Sequence, residues 1–316
     1  MQCIPLGQSG LSIPPIVFGG NVFGWTLDKA QSFRMLDQLY EAGLRSIDTA
    51  DVYSSWVDGN QGGESETIIG EWLHARPGYR DNIVLMTKVG ADLGNDHGGL
   101  SEQWVSQALE DSLKRLQTDY IDLYQSHWPD EHTPHEETLG TYQRLLDAGK
   151  IRAIGASNYN LSQMEQAASA AKNHGLTAYQ SLQPEFNLYD REGFAKPLQQ
   201  WVQAHSVGVI PYFSLASGFL SGKYRNRADL EGQPRANRVE KYANEKGFKL
   251  IGQLIHMAQD YQAEPAEVAL AWLIAHPAVT APIASATKSS HINSLLKAME
   301  LTLSDSDWQQ LDHMMD

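Results

Sequence analysis

Ile121-Asp122-Leu123-Tyr124-Gln125-Ser126-His127 opens the stretch on which the fold turns, and Ile151-Arg152-Ala153-Ile154-Gly155-Ala156-Ser157 closes it. Between them, residues 135–148 have the apolar spacing of a helix, and Gly149 ends it because glycine tolerates the left-handed backbone of a helix terminus. Both flanking runs are mostly apolar rather than alternating. Such runs are strands buried on both faces, as parallel sheets require. Strand, helix and strand together make one βαβ unit.

The same rhythm extends in both directions. Strands are expected at 15–20, 45–50, 83–88, 178–183, 208–213 and 279–286. Helices are expected at 29–42, capped by Asp28 and stopped by Gly43, at 64–74, from Ser101 to about 116, at 161–173 and at 193–205. Eight strands alternating with helices predict an α/β fold of the (β/α)8 TIM-barrel type. An open doubly wound sheet is the rival. It calls for Gly-x-Gly-x-x-Gly after the first strand, and that run is absent. Residues 1–14 read as a β-hairpin turned at Gly7-Gln8-Ser9-Gly10, which plugs one barrel end. Residues 214–242 read as a polar loop. Extra C-terminal helices are expected at 245–261 and 265–275, from 290, and from the Ser304 cap to 315. No low-complexity linker divides the chain, so residues 1–316 are expected to form a single domain.

Composition narrows the partners. The 316 residues carry 24 Lys+Arg against 38 Asp+Glu, a formal net charge of −14. So acidic a surface disfavours nucleic acid and anionic membrane as partners, while leaving room for one local basic pocket. Cys3 is the only cysteine, which excludes an intrachain disulfide and fits a reducing compartment. The start, Met-Gln-Cys-Ile-Pro-Leu-Gly, has no basic or long apolar segment, and no run reaches the ~18 apolar residues of a membrane span. A cytoplasmic protein is expected. A homo-oligomer is left open.

In a barrel of this type the chemistry gathers at the C-terminal strand ends. Asp48, Lys88 and His127 end the second, third and fourth strands, and Tyr53 follows Asp48 by five residues. Reducing a carbonyl takes a hydride on carbon and a proton on oxygen. A free tyrosine, with a pKa near ~10, holds its proton firmly, and a nearby ammonium makes it a better acid. Lys88 is the candidate ammonium, Asp48 its orienting counter-charge, and His127 a donor that polarises the carbonyl oxygen. Each alone has an ordinary role: a turn cap, a packing ring, a snorkelling lysine, a rim histidine. Four at consecutive strand ends favour the catalytic one.

At these residues the chain resembles the aldo-keto reductase superfamily, of the bacterial type related to the potassium-channel β-subunit-like reductases. The matching pieces are Ser46-Ile47-Asp48-Thr49-Ala50-Asp51-Val52-Tyr53, Thr87-Lys88, Asp122-Leu123-Tyr124-Gln125-Ser126-His127-Trp128, Gly155-Ala156-Ser157-Asn158 and Ser217-Gly218-Phe219-Leu220-Ser221-Gly222-Lys223-Tyr224. The resemblance implies an NADP(H)-dependent oxidoreductase reducing aldehydes or ketones, with Tyr53 as proton donor. It implies no metal. Ser157, Asn158 and Gln183 would hold the nicotinamide carboxamide, and Tyr212, with Phe213, would lie against the ring. Ser214, Leu215, Ser217, Gly218, Lys223 and Arg225 would cradle the pyrophosphate. Gly20, Asn21 and Val22 join the cofactor set from the first strand end. Ser285, Thr287, Lys288 and His291 are left for the adenosine half. There the carboxylate and amide of many relatives are replaced by Ser294 and Leu295, so NAD(H) stays beside NADP(H). Phe23, Trp25, Trp56 and Trp128 follow strand ends and suggest an aromatic substrate rim. Two alternatives remain: a β-subunit-like, cofactor-binding redox sensor with little turnover, and a metal-dependent barrel enzyme. The second would want more His, Asp and Glu at the strand ends.

Overall fold

The computed structural model describes residues 2–94, 97–232 and 236–315. Met1 of the expected hairpin, residues 233–235 of the expected loop and Asp316 lie outside them. Ten strands are assigned among the described residues: β1 (Ile4–Pro5), β2 (Ser12–Ile13), β3 (Val17–Gly19), β4 (Ser46–Asp48), β5 (Val84–Val89), β6 (Ile121–Ser126), β7 (Ile151–Ser157), β8 (Ser181–Gln183), β9 (Gly208–Val209) and β10 (Ile283–Ala284). The helices between and after them are α1 (Lys29–Glu41), α2 (Glu64–His74), α3 (Glu102–Leu116), α4 (His135–Asp147), α5 (Leu161–His174), α6 (Lys196–Ala204), α7 (Ala236–Val239), α8 (Glu245–Asp260), α9 (Pro265–Ile274), α10 (Ser289–Glu300) and α11 (Asp305–His313).

β3 to β10 form one eight-stranded parallel sheet in the order β10-β3-β4-β5-β6-β7-β8-β9. Its outer members also meet. Ile283 N–H donates to Pro211 C=O at 2.8 Å, and Thr280 N–H to Val209 C=O at 2.8 Å. The ladder there is brief because Pro211 and Pro282 have no N–H to give. That is why the expected strands 208–213 and 279–286 shrink to two regular residues each.

The helix starts follow local chemistry. Asp28 accepts from Gln31 N–H at 2.8 Å while the Gln31 side chain accepts from Asp28 N–H at 3.0 Å, a reciprocal cap for α1. Asn160 and Gln163 repeat it at α5. α6 begins later than expected, because Glu192–Phe194 form a 3-10 turn and Pro197 stands in the first helical turn, where a missing N–H costs nothing.

The sheet buries both faces, and alternate residues sort between them. Leu85, Tyr124 and Ile154 join the large core under the helices. Val17, Met86, Leu123, Ala153, Ile210, Ala281 and Ile283 form a smaller inner core with Leu6 and Ile13 of the β1–β2 hairpin. Gly7 is pressed on the strand starts: a Cβ there would lie 2.4 Å from Gly208 N and 2.6 Å from Gln180 O. Further along the strands, the inner face turns polar. Asp48, Lys88, Gln125, Ser157 and Gln183 stand there, all buried.

Candidate active site

Strand register brings the polar inner residues together. Lys88 is paired with Gln125, and Gln125 with Gly155. Gly155 is needed: a Cβ would lie 2.3 Å from Ser181 Oγ and 3.1 Å from Gln125 Cγ. Lys88, fully buried, donates to Asp48 Oδ2 at 2.6 Å, to Thr49 C=O at 2.8 Å and to Tyr53 Oη at 3.3 Å. The amides of Gln125 and Gln183 donate to Asp48 Oδ1 at 3.1 Å and 3.0 Å. Asp48 thus receives three side-chain donors, which offsets the cost of burying its charge.

Burial pushes the Lys88 ammonium down, but the facing Asp48 carboxylate and the Tyr53 oxygen bring it net above the ordinary lysine value. Tyr53 responds differently from the simple expectation. Lys88 does pull its pKa down, yet burial outweighs that pull and, with Asp48 behind, holds the phenol above its ordinary value. The phenol therefore keeps its proton at neutral pH. His127 is held well below its ordinary value by burial and by the Lys88 charge, so it is neutral. Its Nδ1 is buried without a hydrogen-bond partner, and its ring lies 5.9 Å from that of Tyr53.

Asp48, Tyr53, His127 and Gln183 line a cavity of about 550 Å³. Its wall includes, of the expected residues, Asn21, Trp25, Asp48, Tyr53, Trp56, His127, Trp128, Ser157, Asn158, Gln183, Tyr212, Phe213, Ser214, Leu215, Ser217, Gly218 and Ser285. Lys88 stands behind the wall. Several expected partners are already engaged with one another. Ser157 Oγ donates to Gln183 C=O at 2.9 Å, Asn158 Nδ2 to His127 C=O at 2.9 Å, and Tyr212 Oη to Asn158 Oδ1 at 2.7 Å. Gln183 turns its amide to Asp48. Ser285 Oγ bonds Gly19 C=O and Asn21 Oδ1, both at 2.7 Å.

Other expected residues stand outside the wall. Phe23 is fully buried, its ring 5.7 Å from that of Phe18, and Val22 is buried beside it in the Gly20–Val22 3-10 turn. Gly20 is buried next to the wall residue Gly19. Lys223 is exposed, with its ammonium 3.7 Å from where a Gly218 Cβ would stand. Arg225 is exposed too. Thr287 and Lys288, just before α10, and His291, in its first turn, are not among the residues that line the cavity. Sequence reasoning passed over Gln125, Glu185, Arg238 and Val52. Of these, Gln125 carried a signal: it lies two residues before His127 and so on the same strand face.

The residues that line the cavity fit a phosphate-bearing ligand. The cavity runs from Tyr53 and His127 to Ser217 and Gly218, where successive left-handed residues, Ala216, Ser217 and Gly218, fold the backbone sharply beside the Lys223 ammonium. Such a turn suits a phosphate.

Comparison with known proteins agrees with this geometry. The model of the aldo/keto reductase family matches residues 15–316. The chain belongs to the aldo/keto reductase family. Among relatives, the aldo-keto reductase YhdN of Bacillus subtilis is 32% identical over 307 residues, covering 94% of this chain and 87% of that protein. The oxidoreductase YrpG of the same organism is 31% identical, covering 96% and 92%. A probable voltage-gated potassium channel subunit beta of Arabidopsis thaliana is 30% identical, covering 95% and 92%. Aldo/keto reductases act on small carbonyl compounds with nicotinamide cofactors. No helix among the described residues is long and apolar enough to cross a membrane.

Proposed function

We propose that this chain is a cytoplasmic NADPH-dependent reductase that converts small aldehydes or ketones to alcohols, with Tyr53 as the general acid. The observation that carries the proposal is the Lys88 ammonium held between Asp48 Oδ2 and Tyr53 Oη at the cavity floor. When bound, the reduced nicotinamide supplies a hydride. Tyr53 gives its phenolic proton to the carbonyl oxygen. Lys88 stabilises the phenolate left behind, and Asp48 keeps Lys88 charged and aimed. Neutral His127 orients the carbonyl oxygen by hydrogen bonding.

Ser157, Asn158, Gln183 and Tyr212 would hold the nicotinamide end, with Gly20, Asn21, Val22 and Phe213 nearby. Ser214, Leu215, Ser217, Gly218, Lys223 and Arg225 would hold the phosphates. Ser285, Thr287, Lys288 and His291 would take the adenosine half, with Lys288 favouring NADPH over NADH. Trp25, Trp56 and Trp128 would line the substrate side. Residues 1–316 would form one closed (β/α)8 barrel. The bonds from β9 to the start of β10, and Leu6 and Ile13 in the inner core, support closure and a hairpin plug at the end remote from Tyr53.

The Arabidopsis relative favours a second reading, a cofactor-binding regulator with little turnover. One experiment separates the two. NADPH is added with and without chelator, followed by tryptophan fluorescence and by NADPH oxidation over a panel of aldehydes, ketones and pyridoxal. Quenching indifferent to chelator, with turnover of at least one carbonyl, is the expected result. Quenching without turnover across the panel favours the regulator. Metal-dependent activity without NADPH binding contradicts both.

A further inference from the structure

The cavity wall contains a cation that proton transfer does not use. Arg238, on α7, lines the cavity, and its guanidinium carbon lies 4.5 Å from the Trp25 ring centre and 5.7 Å from that of Trp56. The two indoles meet edge to face at 5.7 Å. Trp56 in turn meets the Tyr53 ring at 5.5 Å. A single indole therefore separates the guanidinium from the phenol.

Among the described residues, Arg238 has no hydrogen bond or ion pair, only these two rings. Burial without any opposing charge pushes its pKa down. The wall's two carboxylates are both occupied by lysines, Asp48 by Lys88 at 2.6 Å and Glu185 by Lys241 at 3.0 Å. An exposed guanidinium on the cavity wall, stacked on indoles, keeps its planar donor fork for a carboxylate or phosphate. In a chain of net charge −14, this guanidinium on the cavity wall, with no protein carboxylate paired to it, is a place for an anionic group of the ligand.

We propose that Arg238 receives the anionic end, carboxylate or phosphate, of a small aldehyde or ketone whose carbonyl rests against Tyr53. This rests on the reductase reading above and names its substrate class. The short path through one indole fits a chain of a few atoms between carbonyl and anion.

The test compares kcat/KM with NADPH for matched pairs: 4-oxobutanoate against its methyl ester, and glyceraldehyde 3-phosphate against glyceraldehyde. Wild type, Arg238→Gln and Arg238→Lys are measured. In the wild type the anionic member of at least one pair should win by roughly tenfold or more, the factor one charge-assisted hydrogen bond provides. The pair that responds identifies carboxylate or phosphate. Arg238→Gln should bring that ratio towards one, and Arg238→Lys should keep part of it. An identical ratio in wild type and Arg238→Gln overturns the proposal. So does a loss confined to NADPH affinity, which assigns the guanidinium to the cofactor's phosphates. If neutral and anionic carbonyls are all inert, the reductase reading fails by itself. The anion site is then decided by tryptophan fluorescence during titration with 4-oxobutanoate. Saturable quenching in the wild type that is absent in Arg238→Gln supports it, and equal titrations overturn it.

Discussion

Asp51, two residues before Tyr53, sits in surroundings unlike those of an exposed aspartate. It is buried, neither carboxylate oxygen has a hydrogen-bond partner, and burial together with the Glu66 charge pushes its pKa up to about 8. An unfolded aspartate titrates near ~3.9. Between those values the folded chain holds a proton that the unfolded chain has released. Stability is therefore fully present at low pH and is lost as pH rises from about 4 through about 8. Asp51→Asn copies the protonated shape and does not titrate. Its unfolding free energy relative to wild type should grow with pH over this window, by at most about 1.4 kcal/mol per pH unit. Urea unfolding at pH 5, 6.5 and 8 measures this, and a constant offset at all three contradicts it. Nothing in the local sequence marks Asp51 out, since the charges that act on it come from Glu66 on α2 and Arg115 near the end of α3. Asp48, Lys88 and His127 were legible because each closes an apolar strand. Phe23 follows a strand end too, yet the 3-10 turn before it rolls its ring into the core. Spacing alone does not show which way such a side chain turns.

The hairpin and the strand ladder show the same division at the scale of elements. Continuous apolar runs located every strand of the parallel sheet, and side-chain caps located α1, α3 and α11. Strand lengths were less legible, because prolines at 211 and 282 interrupt a ladder that the apolar pattern continues through. The hairpin's turn was marked by its glycines. What the hairpin packs against depends on contacts with Val17, Met86, Leu123 and Ile210, which are distant in sequence. Leu6, fully buried in that inner core, gives the test. Leu6→Ala should lower stability by about 2–5 kcal/mol in denaturant unfolding. It should leave kcat/KM unchanged, since Leu6 meets the strand starts and Tyr53 follows a strand end. A parallel loss of kcat/KM would mean that the hairpin supports the site directly.

Across the whole molecule, one parallel sheet gathers residues far apart in sequence around a single cavity. Asp48, Tyr53, Lys88 and His127 were readable as a set because the barrel rule predicts where strand ends converge. Arg238 was not, because it reaches the cavity from a long polar segment whose path no periodicity describes. The acidic composition left room for one local basic pocket without saying which residue would supply it. The central claim is that the phenol held by Lys88 delivers the proton that completes carbonyl reduction. Tyr53→Phe removes that proton and little else. NADPH oxidation with a substrate of the wild-type enzyme, measured alongside NADPH titration by tryptophan fluorescence, tests it directly. The account predicts turnover lost by at least about 100-fold, the lower range for a general acid, with NADPH affinity nearly intact. Full turnover in Tyr53→Phe would contradict it.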